Sequence, residues 1–93
     1  MDASEQWWQK CAIMPGPSLS KLFGNAVRSR RITAGFSQEK LAERAGLHPT
    51  YISMVERGVR NPTLDVAARI AAALNVSLPN LLEEALRYSN SAK

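Results

Sequence analysis

Between Gln38 and Val55 the chain sets a few residue types at spacings that leave little choice of fold. Counting Gln38 as the first position, Leu41 and Ala42 fall at four and five, Ala45 and Gly46 at eight and nine, Leu47 at ten, Ile52 at fifteen and Val55 at eighteen. Apolar residues recur at helical spacing on both sides of Gly46, so the segment predicts two short amphipathic helices joined by a tight turn. A glycine suits that turn because the backbone there must take a positive φ, which a residue without Cβ adopts at little cost. Ala42 suits the first helix of the pair because the second crosses close to it. The apolar positions anchor both helices to a core that the rest of the chain must complete.

The remaining sequence from Ser18 onward also reads as helix, with no alternating strand pattern, internal repeat or low-complexity tract. Ser18 or Ser20 caps a first helix in which Leu19, Phe23 and Val27 recur every four residues as one apolar stripe, and Gly35 ends it. Ser37 caps the second helix; Lys40 holds its third position, so the reciprocal Ser-to-Glu capping box is missing, while Glu39 favours the helix dipole. Gly46 ends the second helix, and Pro49 opens a third that stops at Gly58. Thr63 caps a fourth with the stripe Leu64, Ala67, Ile70, Ala71 and Leu74, and Ser77 caps a fifth. The expected fold is all-α: a compact five-helix domain over residues 18–88, a short N-terminal extension at 1–17 and a tail at 89–93. Met14-Pro15-Gly16-Pro17 sets the extension apart, since it breaks any helix entering from Trp7 and Trp8. Either the tryptophans pack on the domain or on a partner subunit, or Met14 is the natural start and the first residues are dispensable.

Composition narrows the function. A chain of 93 residues supports one modest core. One cysteine, Cys11, and one histidine, His48, assemble neither an internal disulfide nor a Cys/His metal site, and they fit a reducing, cytoplasmic setting. No apolar run approaches the roughly 18 residues a bilayer span needs, and the N-terminus lacks a basic stretch followed by an apolar signal core. With no nucleophile–base pair, no Gly-rich phosphate loop and carboxylates scattered on helix surfaces, the chain is not expected to be an enzyme or to need a cofactor. The net charge is +4, but residues 21–60 hold eight Lys/Arg against three Asp/Glu. Positive charge therefore gathers around the two-helix segment, as a polyanionic partner requires, although a charged helix surface alone is also an ordinary solvated face.

The runs Ser37-Gln38-Glu39-Lys40-Leu41-Ala42 and Tyr51-Ile52-Ser53-Met54-Val55-Glu56-Arg57-Gly58-Val59-Arg60-Asn61-Pro62-Thr63-Leu64 resemble the Cro/C1-type (XRE) helix-turn-helix family, and the likeness extends over about residues 22–86. The resemblance implies a five-helix, lambda-repressor-like domain that binds double-stranded operator DNA, usually as a homodimer, and represses or activates a promoter. Phage regulators, restriction–modification controllers and antitoxins share this domain. The alternative is therefore an antitoxin-like protein-binding module of the same fold. No ligand domain follows the helices, so a small-molecule ligand is not expected.

The resemblance also assigns residues. In such domains the third helix enters the major groove and the start of the second meets the DNA backbone. Gln38, Tyr51, Arg57, Arg60 and Asn61 are then the candidates for phosphate contact, supplying affinity and register without sequence choice. His48, Pro49, Thr50, Ser53 and Met54 are the outward positions of the third helix and the candidates for reading bases. None of these five is Arg, Lys, Asn or Gln, so the strongest bidentate readers are absent and DNA shape contributes much of the specificity. His48 has a second reading as the cap of that helix. Arg31, four residues after Val27, and Glu56, four after Ile52, both fall on apolar faces, where a charge needs a partner. The resemblance pairs them as a structural ion pair; a phosphate contact is the other reading of Arg31. Helix five presents Leu78, Leu81, Leu82, Ala85, Leu86 and Tyr88, more apolar surface than one inward face needs, and the surplus predicts a homodimer interface.

Overall fold

A computed structural model describes residues 18–91. Its helices are α1 (Leu19–Ala34), α2 (Gln38–Ala45), α3 (Pro49–Glu56), α4 (Leu64–Ala73) and α5 (Leu78–Ser91), and no strand occurs among the described residues. The extension at 1–17 and the Tyr88 side chain lie outside the described residues. α5 runs to Ser91, into the stretch expected as a tail from residue 89.

Local chemistry sets the helix ends. The hydroxyls of Ser18, Ser37, Thr63 and Ser77 each accept a hydrogen bond from the backbone N–H three residues on, at 3.0–3.2 Å, satisfying one otherwise orphaned donor per helix. Four C-termini close in one way: Gly35, Gly46, Gly58 and Asn75 take positive φ, and the following N–H reaches back to the helix, as from Leu47 to the Ala42 carbonyl at 2.8 Å.

The core draws on every helix. Val27, Leu41, Ile52, Val55, Ile70 and Leu81 are its largest fully buried side chains, and burial of each contributes roughly 1.5–3 kcal/mol. α1 is the hub, packing on α3 along one side and on α5 along the other. Its approach to α3 is unusually close at Gly24, where an added Cβ would stand 2.2 Å from the Val55 carbonyl oxygen.

Three apolar assignments change in the folded chain. Leu19 and Leu64 open their helices but are 57% and 78% exposed, because the first residue of each stripe lies past the end of the core. Leu81 and Ala85 are fully buried against the chain's own helices, so they have no surface to offer a partner. Leu78 and Leu82 are half-buried at the edge of the core, and Leu86 is 52% exposed.

Candidate nucleic-acid interface

α2, the turn at Gly46 and α3 form a helix-turn-helix whose two helices pack directly on each other. Leu41, Ala42 and Ala45 of α2 and Ile52 and Val55 of α3 are buried, which fixes the opposite face of α3 toward solvent. The turn is held from outside the motif as well. Arg69 of α4 donates from Nε to the Ala45 carbonyl at 3.1 Å and from Nη2 to the Gly46 carbonyl at 2.9 Å. These bonds occupy carbonyls that the end of α2 leaves without helical partners. Arg44 does the same for α4, donating to the Ala73 carbonyl at 3.0 Å while its guanidinium lies 5.0 Å from the centre of the Phe36 ring.

Arg31 and Glu56 meet across α1 and α3, with Arg31 Nε donating to Glu56 Oε2 at 2.6 Å and Nη2 to Oε1 at 3.1 Å. Their side chains are only 12% and 3% exposed. Arg31 Nη1 also donates to the Phe36 carbonyl at 2.9 Å, and Gln38 Nε2 donates to Glu56 Oε1 at 3.1 Å. The buried carboxylate thus accepts three hydrogen bonds, and one of them holds the amide of Gln38 at the first turn of α2.

At the start of α3, His48 occupies the capping position and its Nδ1 accepts from the Thr50 backbone N–H at 3.1 Å. Pro49 follows in the first turn, where its missing N–H costs nothing. His48 and Thr50 are exposed; Pro49, Ser53 and Met54 are half-buried. Beyond α3, Arg57, Arg60 and Asn61 are exposed, and the Arg60 guanidinium lies 5.7 Å from the centre of the half-buried Tyr51 ring. Neither Arg57 nor Arg60 forms an ion pair among the described residues, so both cations face water. Asn61 stands apart from the others, at the edge of an apolar groove formed with α1, α4 and α5.

Sequence reasoning missed the arginines that brace the motif. Arg44 and Arg69 carry no local signal, since their partners are carbonyls 29 and 24 residues away. Gly24 did carry one: a glycine inside a helical stripe costs about 1 kcal/mol relative to alanine and so marks a close approach.

The sequence profile of the Helix-turn-helix family matches residues 27–81. Control protein C.SmaI of Serratia marcescens is 48% identical over 64 residues, covering 69% of this chain and 76% of that protein. An uncharacterized HTH-type transcriptional regulator of Mycobacterium tuberculosis is 52% identical over 54 residues, 58% of this chain; the match spans only 39% of that longer relative. Among solved structures, the restriction–modification controller protein C.AhdI of Aeromonas hydrophila superposes with a TM-score of 0.65 at 39% identity, covering 67% of this chain and 94% of that one. Family profile, relatives and fold agree with the motif geometry: the chain belongs to the Cro/C1-type family of helix-turn-helix transcriptional regulators.

Proposed function

We propose that the chain is a cytoplasmic, sequence-specific regulator of transcription that binds a pseudo-palindromic operator as a homodimer. The observation that carries this reading is the division of α3. Ile52 and Val55 are sealed in the core, while His48 and Thr50 at its start and Arg57 and Arg60 beyond its end stand in solvent. A short helix anchored on one face, polar on the other and flanked by unpaired cations suits the major groove of a duplex. The names of the relatives, control protein and transcriptional regulator, support the same reading.

In this reading Gln38, Tyr51, Arg57, Arg60 and Asn61 meet phosphates, and His48, Pro49, Thr50, Ser53 and Met54 face base edges. Gln38 reaches the backbone with its amide already oriented by Glu56, and Tyr51 braces Arg60. Homodimerisation uses the outer side of α5, centred on Leu86, and sets two recognition helices about one turn of DNA apart. Monomer alone at tens of micromolar in sedimentation equilibrium would refute the dimer.

The deciding experiment is binding to the DNA upstream of the protein's own gene, measured on single-base variants at several salt concentrations. Arg57→Ala and Arg60→Ala weaken all sequences alike and flatten the log–log salt dependence by about one unit per contact in each half-site. Thr50→Ala, Ser53→Ala and Met54→Ala leave that slope intact and lose about 1–3 kcal/mol of discrimination at one or two base pairs. If the last three variants keep the wild-type preference everywhere, α3 does not read bases. Absence of any DNA binding would instead favour a protein-binding module of the same fold.

A further inference from the structure

Away from the helix-turn-helix the described surface carries one apolar groove, of about 300 Å³, bounded by Leu19 and Phe23 of α1, Pro62 and Leu64 before and at the start of α4, and Leu78 and Leu82 of α5. Leu19 and Leu64, the two leucines displaced from the core, form its rim. Its polar groups are few, the Ser20 hydroxyl and the Asn61 amide among them. An apolar concavity of this volume is large enough to receive a bulky side chain.

We propose that the groove is the seat of the chain's own N-terminal segment, residues 1–17, which lays the Trp7–Trp8 pair into it. Three observations select this occupant. First, the described chain begins at Ser18, beside two residues of the groove, Leu19 and Ser20, so the segment enters the fold at the groove's edge. Ser18 lies ten residue steps after Trp8, a tether of up to about 33–36 Å when extended, ample to fold back across the site. Second, an indole combines a large apolar body with one N–H donor that needs an acceptor when buried, and Ser20 and Asn61 supply oxygen acceptors in an otherwise apolar lining. Third, a tether this short keeps its end near the site at an effective concentration in the mM range, well above that of a second copy in dilute solution. Leu78 and Leu82 then serve the segment, and Leu86, which does not line the groove, is left for a partner subunit. The groove shares Asn61 with the proposed phosphate contacts, and its test reads the tryptophans without DNA.

Both tryptophans of the chain lie in this segment, so intrinsic tryptophan fluorescence of the full chain reports on it alone. Trp7→Phe and Trp8→Phe each leave one reporter and assign which indole enters. Expected are emission to the blue of free tryptophan amide, severalfold weaker quenching by acrylamide, and no change of either on dilution. Leu64→Glu removes the groove's rim at an exposed first-turn position where a carboxylate favours the helix, so the fold survives, with far-ultraviolet circular dichroism as the check. Its emission should move to that of the free amide, and Leu19→Glu should act alike. Emission of the wild-type chain at the free-amide position overturns the proposal. So does protection that both glutamate variants leave intact, which places the segment elsewhere. Protection that disappears on dilution also overturns it, and assigns the groove to a second copy.

Discussion

Arg30 and Arg31 are consecutive on α1, about 100° apart around the helix, and serve opposite halves of the molecule. Arg31 turns to α3 and the helix-turn-helix, where it is locked to Glu56 nearly out of reach of water. Arg30 turns to α5 and grips Glu84, with Nε 2.9 Å from one carboxylate oxygen and 3.1 Å from the other, and Nη2 on the nearer one. Those side chains remain 40% and 32% exposed. The two pairs have similar hydrogen-bond geometry and differ in solvent. On the α5 side water already satisfies both ions, so the pair adds little. On the α3 side water scarcely reaches either ion, and the other partners, the Phe36 carbonyl on Arg31 and the Gln38 amide on Glu56, are neutral, so the pair is weak evidence of net stabilisation yet costly to break in half. The half of the molecule that carries the helix-turn-helix is thus fixed by an obligatory polar contact, and the half that presents the groove and α5 is held mainly by apolar packing.

The largest expected effect breaks the buried pair. Glu56→Ala leaves the Arg31 guanidinium without its carboxylate and should lower stability by about 3–5 kcal/mol in urea titration, much of what a domain of this size has to lose. Combining Arg31→Met with Glu56→Leu should recover much of that loss. Near-native unfolding of the single variant would erase the contrast between the two halves.

Next comes packing at the same contact. Gly24→Ala forces a methyl group against the Val55 and Glu56 carbonyls and should cost about 1–3 kcal/mol, whereas Ser29→Ala, exposed on the same helix, should change stability by less than about 0.5 kcal/mol. Equal melting temperatures for the two would mean that α1 moves off α3 without penalty.

The α5 side should respond weakly. Glu84→Ala is expected to cost about 0.2–1 kcal/mol at neutral pH and less in high salt, given the exposure of both partners. A loss equal to that of Glu56→Ala would show that burial is not what separates the pairs.

The finest test is pH. The Arg30 hydrogen bond, with help from the charges of Arg30 and Arg87 and against a desolvation cost, holds the Glu84 carboxyl below its ordinary value. A lowered carboxyl pKa stabilises the folded state above the unfolded value, about 4.3, and that contribution disappears as pH falls through the lowered one. The stability gap between wild type and Glu84→Ala should therefore be constant near neutrality and close on acidification below about pH 4. A gap that widens on acidification would contradict the assigned sign.

Sequence reasoning resolved what is decided within one or two helical turns. Ser37 and Thr63 signal their helix starts, Gly46 its turn, and Ile52 and Val55 their burial because each depends on near neighbours. What escaped depends on which helices meet. Leu81 and Ala85 looked like surplus surface because nothing local reveals that α1 packs along α5 and uses them. Leu19 and Leu64 looked like core because periodicity marks a stripe without marking where the opposing helix stops. At the candidate interface the buried positions of α3 implied the exposure of His48 and Thr50, whereas Pro49, Ser53 and Met54, expected to face outward, are half-buried. The bracing of Gln38 by Glu56 and of Tyr51 with Arg60 required the fold.

The cap on α3 carries a consequence for recognition. Because His48 Nδ1 accepts the Thr50 N–H, the neutral ring must carry its proton on Nε2, the nitrogen left free to turn outward. In the proposed DNA complex the neutral His48 ring is then a donor alone. It is matched to a phosphate oxygen, to N7 of either purine, to O6 of guanine or to O4 of thymine, and mismatched to the amino groups of adenine and cytosine. If His48 meets base edges as proposed, the backbone hydrogen bond that caps α3 also selects which side of the base-pair code this residue addresses.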